Sequence, residues 1–298
     1  MTLEALRTPE ARFDGLPGYS FSPNYRDDLA GYPGLRMHYL DEGEGDARVA
    51  LCLHGQPTWS YLYRRMIPGL VAAGYRVVAP DMFGFGRSDK PVEDAVYTFD
   101  FHRQSLIALI RALDLGHITL VCQDWGGLLG LTIPLEMADR FEALLVMNTA
   151  LATGDRPLTK GFIDWRAWNN ANPDMPVDKL MSRACPQLTP AEAAAYDAPF
   201  PDATYKAGVR RFPNLVPDNP DAGGAVISRK AREWWRAEWS GKTAMAIGMT
   251  DPVLGPVVMK DLRQTIRHCP EPIRLAAAGH FVQEWGEEAL KGALPLLS

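Results

Sequence analysis

Short apolar runs alternate along this chain with segments whose apolar residues recur at helical spacing. The runs are rich in β-branched and aliphatic residues, a pattern typical of strands buried on both faces. Residues 58–73, 101–113 and 225–239 repeat apolar positions at intervals of three and four, which predicts helices, with Thr58 as the N-cap of the first. A polar turn is predicted over residues 41–47. The predicted strands span residues 35–39, 49–53, 75–79, 118–122, 143–147, 243–249 and 273–277.

Strands that alternate with helices predict an α/β fold whose mostly parallel sheet is covered on both faces. Functional groups of such sheets gather where the carboxyl ends of the strands meet. We therefore expect the polar residues that follow these strands to lie close together. They are His54, Asp124, Asn148, Asp251 and His280.

The pattern changes between residues 152 and 221, where ten prolines interrupt the chain and no strand-like run occurs. Prolines at this density favour short helices separated by turns. We interpret residues 152–221 as a helical cap domain over the carboxyl edge of the sheet. Residues 1–151 and 222–298 would form the core domain.

Charge and composition exclude several classes of partner. The 298 residues carry a formal net charge of −5 with a predicted pI of about 5.7, which argues against nucleic acid or an anionic membrane. There is neither a secretory leader nor an apolar run of membrane length, so we expect a soluble, cytoplasmic protein, and a monomer because nothing indicates an obligate interface. The four cysteines form no C-x-x-C pair and are expected to be buried free thiols.

The stretch ITLVCQDWGGLLGL, residues 118–131, passes from strand to helix at Asp124, and the helical pattern continues to residue 138. Gly126 and Gly127 permit a tight turn and a close approach of that helix to the strand. A polar residue at such a corner resembles the nucleophile elbow of α/β-hydrolases. The corner residue is usually serine, with a glycine two positions earlier; here it is aspartate, preceded by Cys122. A serine esterase is therefore excluded.

A carboxylate at this corner is already charged and needs no base before it attacks. With an ester or amide it would form an anhydride, whereas at a saturated carbon that bears a leaving group it would form an ordinary alkyl ester. Water must then cleave that ester, which requires a base and an oxyanion hole.

The base and its partner follow from the order nucleophile, acid, histidine. His280 comes after the last predicted strand, and Asp251 ends the preceding core strand, where it could orient the imidazole. The oxyanion hole is expected to use the backbone N–H groups of Trp125 and Gln56. The remaining histidines are interpreted as packing or loop residues: His38, His54, His102, His117 and His268.

Four segments together resemble the haloalkane dehalogenases: HGQPTWSYLYRRMIP, VCQDWGG, AIGMTDPVLGP and AGHFVQEWGE. The resemblance extends over nearly the whole chain and implies an α/β-hydrolase fold with an eight-stranded, mostly parallel sheet and a helical cap. It implies Asp124 as nucleophile, Asp251 as acid, His280 as base and Trp125 as an indole donor to the departing halide. The implied reaction converts a haloalkane and water into a primary alcohol, halide and a proton, without metal or organic cofactor.

The resemblance also implies a second halide-binding indole in the cap, which TKGFIDWRAW places at Trp165, with Trp168 one helical turn away as the competing candidate. A mostly apolar pocket suits a haloalkane. The residues expected to line it are Trp59, Phe83, Leu128, Phe162, Phe212, Pro213, Val216, Leu254 and Phe281.

Two positions depart from family patterns. Gln56 replaces the glutamate expected in the subfamily with two tryptophans, and its amide would either add a donor near the halide or hold the hydrolytic water. A second subfamily carries its acid at the place of Asn148, which cannot serve as an acid, so Asp251 is favoured.

Two other functions remain open from sequence. An epoxide hydrolase also uses an aspartate at the elbow, but the alkoxide that it releases needs a proton donor, and Tyr196 and Tyr205 in the cap could supply one. A non-catalytic receptor for small ligands is the second alternative.

Overall fold

One eight-stranded sheet organises the computed structural model, which describes residues 3–44 and 48–298. The last three residues of the predicted turn at 41–47 lie outside the described residues. The strands are β1 Ala5–Leu6, β2 Asn24–Arg26, β3 Met37–Glu42, β4 Val49–Leu53, β5 Arg76–Pro80, β6 Lys90–Pro91, β7 Ile118–Cys122, β8 Phe141–Met147, β9 Lys242–Gly248 and β10 Ile273–Leu275. The helices are α1 Ile67–Ala72, α2 Phe99–Ala112, α3 Trp125–Gly130, α4 Pro134–Met137, α5 Lys160–Ala171, α6 Val177–Ala184, α7 Pro190–Asp197, α8 Ala207–Arg211, α9 Ala225–Ala237, α10 Pro256–Thr265 and α11 Gly286–Leu297.

The strand order in the sheet is β10-β9-β8-β7-β4-β5-β3-β2. Strands β10 to β5 in this order pair in parallel, and β3 and β2 are added antiparallel at one edge. Every residue of the central strands β4 and β7 is buried, in keeping with a composition that is apolar apart from Thr119. The predicted mostly parallel, eight-stranded α/β fold is confirmed. Strand β2 was not predicted, because three half-buried residues leave no recognisable pattern.

The helices predicted directly after β4 and directly after β7 are shorter and more interrupted than expected. The segment after β4 forms a 3-10 helix, Ser60–Arg65, before α1 begins. Thr58 is not its N-cap: the Thr58 hydroxyl donates to the carbonyl of Gly55 at 3.1 Å and holds the preceding turn instead. The elbow helix ends at Gly130 and resumes as α4 at Pro134, which has no N–H to continue the ladder.

The corner between β7 and α3 has an unusual backbone. Asp124 adopts φ 50° and ψ −127°, outside the regions that most L-residues occupy. The Asp124 N–H donates to the carbonyl of Asn148 at 3.0 Å, and the Thr149 hydroxyl donates to the carbonyl of Asp124 at 2.7 Å. A Cβ at Gly126 would lie 2.0 Å from the carbonyl oxygen of Leu53. The sharp turn therefore depends on glycine behind it and on β8 beside it.

Residues 148–224 contain only helices, 3-10 turns and loops, in agreement with the pattern of prolines. Helices α6 and α7 of this segment pack against each other. Its division from the core at residues 152 and 221 stays a prediction. Helix α7 is tied to the core by a cluster of charged and phenolic side chains that comprises Arg64, Arg65, Glu192, Tyr196 and Glu284.

The four cysteines are free thiols, and all but the half-buried Cys269 are buried, close to the prediction. Within residues 3–44 and 48–298, none of the helices is both long and apolar enough to cross a bilayer.

Replacing Gly126 tests the close approach at the corner. We expect Gly126→Ala to lower the free energy of unfolding by about 3 kcal/mol, because the new methyl group would force backbone atoms apart. Urea denaturation measures the change. Gly116→Ala is the matched control: its Cβ would meet nothing within 4 Å, and we expect a change below about 1 kcal/mol. Equal midpoints for the two variants would contradict the packing constraint.

Candidate active site

Three side chains from separate strand ends form a continuous chain of contacts. Asp124 follows β7, Asp251 follows β9, and His280 lies in the loop after β10. Oδ2 of Asp124 is 3.5 Å from Nε2 of His280, and Nδ1 of His280 is 2.8 Å from Oδ2 of Asp251. The structure thus brings together the three residues that the sequence singled out as nucleophile, acid and base.

The carboxylate of Asp251 is fully buried and accepts hydrogen bonds at both oxygens. Oδ1 accepts from the N–H groups of Val253 at 2.8 Å and Leu254 at 3.2 Å. Oδ2 accepts from Nδ2 of Asn148 at 2.8 Å and from Nδ1 of His280. Burial raises the pKa of Asp251, but the charge of His280 and these hydrogen bonds outweigh burial and hold the pKa below its usual range. Asp251 is therefore the anionic partner of the imidazole.

His280 lies between two carboxylates. Burial lowers the pKa of its imidazole, but the negative charge of Asp251 and the contact with Asp124 outweigh burial and raise the pKa above the ordinary histidine value. Because Asp251 can only accept, Nδ1 carries a proton. Nε2 is left facing Asp124 and the cavity.

The two oxygens of Asp124 have different surroundings. Oδ1 accepts from the backbone N–H of Gln56 at 2.8 Å, whereas Oδ2 faces His280. A Cβ at Gly55 would lie 2.2 Å from Oδ1, so glycine is needed for the loop after β4 to come this close. Trp125 is the first residue of α3, where N–H groups have no partner within the helix.

A cavity of about 830 Å³ opens above Asp124, within the size range of small-molecule sites. Gln56, Trp125 and His280 also line it. Of the predicted pocket residues, those that line the cavity are Leu128, Phe162, Pro213, Val216, Leu254 and Phe281.

Trp59 and Phe83 do not line the cavity, and their assignment to the pocket is wrong. Both are completely buried and pack in aromatic clusters. The ring centroids of Trp59 and Tyr19 are 5.0 Å apart. The Phe83 ring stacks on Tyr32, with their centroids 5.4 Å apart. Their closeness in sequence to the strand ends gave no information on where the rings point.

Phe212 is also absent from the cavity wall and lies behind it. The centroid of its ring lies 4.6 Å from that of Trp125, 4.5 Å from that of His102 and 4.7 Å from that of Phe85. It therefore supports the indole that lines the cavity rather than contacting a ligand, and its place in the predicted pocket is corrected.

The two cap tryptophans are distinguished by position. Trp165 lines the cavity, whereas Trp168 is not among the lining residues and stacks on Trp165 with ring centroids 5.4 Å apart. Helix α5, which carries both, is pressed against the loop of Asp251: a Cβ at Gly161 would lie 2.2 Å from the carbonyl oxygen of Pro252.

Charged residues at the cavity were missed from sequence. Arg156, Arg183 and Asp261 contribute to its lining, and Arg156 forms an ion pair with Asp261 on α10. A search for apolar positions could not find them, because they belong to the lining only through the tertiary placement of the cap. Gln123 was also missed, although it directly precedes Asp124 and lies 2.9 Å from His280.

The cap phenols are not at the cavity. Tyr196 is buried and donates its hydroxyl hydrogen to Glu284, and neither Tyr196 nor Tyr205 is a lining residue. These two residues therefore give no proton donor for an epoxide opened at Asp124.

These features define an α/β-hydrolase with a carboxylate at the position of the nucleophile. Asp124 lies at the elbow of a mostly parallel sheet, accepts from a backbone N–H, and is followed in the chain by an Asp–His pair. The family model of the alpha/beta hydrolase fold matches residues 49–287. The chain is 43% identical to a haloalkane dehalogenase of Psychrobacter cryohalolentis, over 97% of this chain and 96% of that one. It is 45% identical to haloalkane dehalogenase 1 of Mycobacterium bovis, over 95% of this chain and 94% of that one. The chain belongs to the haloalkane dehalogenases.

Solved structures agree with this assignment. The haloalkane dehalogenase DpaA of Paraglaciecola agarilytica matches with a TM-score of 0.96 and 55% identity over 98% of each chain. The haloalkane dehalogenase DbeA of Bradyrhizobium elkani matches with a TM-score of 0.75 and 26% identity, over 91% of this chain and 95% of that one. The DpaA structure is described as tetrameric, which conflicts with the monomer predicted from this sequence.

Removing the Asn148 side chain tests its support of Asp251. The Asn148 amide donates to Asp251, and its oxygen accepts from the N–H of Gly248 at 2.8 Å. We expect Asn148→Ala to lower the free energy of unfolding by about 2 kcal/mol, because a buried N–H loses its partner. Urea denaturation measures the change, and the exposed Asn170→Ala serves as control with an expected change of about 0.5 kcal/mol. Similar losses in both variants would refute this support.

Proposed function

We propose that this chain hydrolyses haloalkanes through an alkyl ester formed on Asp124. The observation that carries the proposal is that the two oxygens of the Asp124 carboxylate have different contacts. Oδ1 is bound by the N–H of Gln56 at 2.8 Å, Oδ2 faces His280, and Asp124 lines a mostly apolar cavity. One carboxylate can thus attack through one oxygen and develop negative charge on the other.

In the first step, Oδ2 of Asp124 attacks the carbon that bears the halogen. A carbon–oxygen bond forms as the carbon–halogen bond breaks, and the halide leaves with the bonding electrons. The indole N–H groups of Trp125 and Trp165, which both border the cavity, donate to the departing anion. An indole N–H suits this task because a halide needs hydrogen bonds but no proton.

In the second step, Nε2 of His280 takes a proton from water, and the resulting hydroxide attacks Cγ of Asp124. Oδ1 becomes an oxyanion, which the N–H groups of Gln56 and Trp125 stabilise. The intermediate expels the alcohol, which takes the proton back from His280. The regenerated carboxyl group then ionises, so the net products are alcohol, halide and a proton.

The charges around His280 change at the stage where a base is needed. The free enzyme holds two carboxylates beside the imidazole, and both raise its pKa. Alkylation removes the negative charge of Asp124, so the pKa of His280 falls when the ester forms. The imidazole is therefore a better neutral base in the alkyl-enzyme than in the free enzyme, while Asp251 remains to stabilise the imidazolium.

The side chain of Gln56 has two candidate roles. Its Nε2 donates to the carbonyl of Val209 in the cap at 3.1 Å. That bond commits one of the two N–H hydrogens of the amide, so both roles stay predictions.

Trapping the ester tests the proposed function. In His280→Phe protein exposed to 1,2-dibromoethane, we expect about one equivalent of bromide and a bromoethyl adduct on the peptide that contains Asp124, because no base remains to activate water. Mass spectrometry and bromide release measure both. The double variant Asp124→Asn, His280→Phe is the control and should stay unmodified. An unmodified His280→Phe protein, together with native protein that releases no bromide, would reject the proposal.

A pair of tryptophan variants tests the cap halide donor. We expect Trp165→Phe to weaken bromide binding by about 10-fold or more, because a hydrogen bond to an ion is lost. Trp168→Phe should change it by less than about threefold, since Trp168 supports the neighbouring ring from outside the cavity. Competitive inhibition by bromide gives both constants. The reverse ranking would assign the donor to Trp168.

A further inference from the structure

The buried side chain of Gln123 contacts the proposed base on the atom that must accept a proton. Gln123 is completely buried at the end of β7, one residue before Asp124. Its Nε2 lies 2.9 Å from Nε2 of His280 and 3.1 Å from the carbonyl oxygen of His280. No step of the proposed reaction uses this amide.

The orientation of the amide is set by the carbonyl group of His280. A carbonyl oxygen can only accept, so the NH₂ end of Gln123 faces it; the reverse orientation would place two oxygens 3.1 Å apart. The same orientation leaves Oε1 of Gln123 buried without a hydrogen-bond partner among residues 3–44 and 48–298. An orphaned buried oxygen is unfavourable, so the contacts of the NH₂ group with His280 must offset it.

An NH₂ group has two hydrogens and no acceptor, so its contact with Nε2 of His280 requires a lone pair there. Asp251 binds the proton on Nδ1 at the other side of the ring, at 2.8 Å. The two partners together select the neutral tautomer in which Nε2 is free to act as a base. The distances agree, because Nε2 is closer to the Gln123 amide, at 2.9 Å, than to Oδ2 of Asp124, at 3.5 Å.

We propose that Gln123 is a positioning residue for the hydrolytic step, which holds the ring of His280 in place with Nε2 unprotonated until water takes over that atom. This inference rests on the proposed function. One N–H of Gln123 stays bonded to the carbonyl of His280 throughout the reaction. The second N–H moves away from Nε2 of His280 when the water binds that atom. Once Nε2 carries a proton, it faces an N–H group, which favours return of the proton to the departing alcohol.

The charges and the amide act in opposite directions on His280. Asp251 and Asp124 favour the imidazolium ion, whereas the Gln123 amide favours the neutral ring. Loss of the amide should therefore raise the pKa of His280. Since only the neutral ring accepts a proton, the rate of hydrolysis rises with pH through this pKa, and a higher pKa moves the rise to higher pH.

Transient kinetics with 1,2-dibromoethane separate the two chemical steps across a range of pH. In Gln123→Met, which keeps the volume but has no N–H, we expect bromide release in the first turnover to change by less than about threefold. The pH at which hydrolysis reaches half its maximum should rise by about one unit, so hydrolysis below that pH slows by about 10-fold. Gln123→Glu, with an added negative charge, should shift it at least as far. The exposed Gln187→Met is the control and should leave both steps unchanged.

A purely structural role for Gln123 would slow both steps at every pH and leave the midpoint in place. An unshifted midpoint in Gln123→Met overturns the inference, even if hydrolysis is slower. If Gln123→Met does not fold, the midpoint in Gln123→Leu decides, because leucine also has no N–H and adds no charge. Native enzyme that gives no bromide and no trapped ester rejects the proposed function itself, and the inference falls with it, so the two failures are distinguishable.

Discussion

The backbone of Asp124 is the constraint on which the site depends. A residue with positive φ at the end of a buried strand is strained, by about 1–3 kcal/mol, and persists only where its neighbours determine it. Here the carbonyl of Asn148 and the hydroxyl of Thr149 hold the corner from β8, and Gly126 lets α3 start directly against β4. Because the chain turns so sharply, the carboxylate stands clear of the sheet, with one oxygen against an N–H of the neighbouring loop and the other facing His280.

The same corner couples the two stages of the reaction electrostatically. His280 is flanked by a permanent negative charge at Asp251 and by one at Asp124 that is removed when the ester forms. No movement of the protein is required to change the strength of the base, because the substrate itself neutralises the second charge. The Gln123 amide adds a fixed dipole that opposes both carboxylates, so the protonation of one imidazole depends on three side chains that follow β7 and β9, the two strands on either side of β8.

Much of the fold could be predicted because strands buried on both faces are apolar along nearly their whole length, as in β4 and β7. The meeting of Asp124, Asp251 and His280 could be predicted because parallel strands place their carboxyl ends at one edge. Side-chain direction within loops could not be predicted: Trp59 is buried in the core although Gln56 and Pro57 of the same loop border the cavity. The contact of Gln123 with His280 joins residues 157 positions apart and depends on an amide orientation that no local pattern encodes.

The bond between Asn148 and Asp251 bears on how this fold diverges. These two residues follow adjacent strands, β8 and β9, and their side chains already touch, at 2.8 Å, beside the same imidazole nitrogen. A carboxylate introduced at position 148 would therefore lie beside the carboxylate of Asp251, and the repulsion between the two charges would favour a chain with an acid at only one of the two places. Lineages whose acid follows β8 and lineages whose acid follows β9 can therefore have the same sheet.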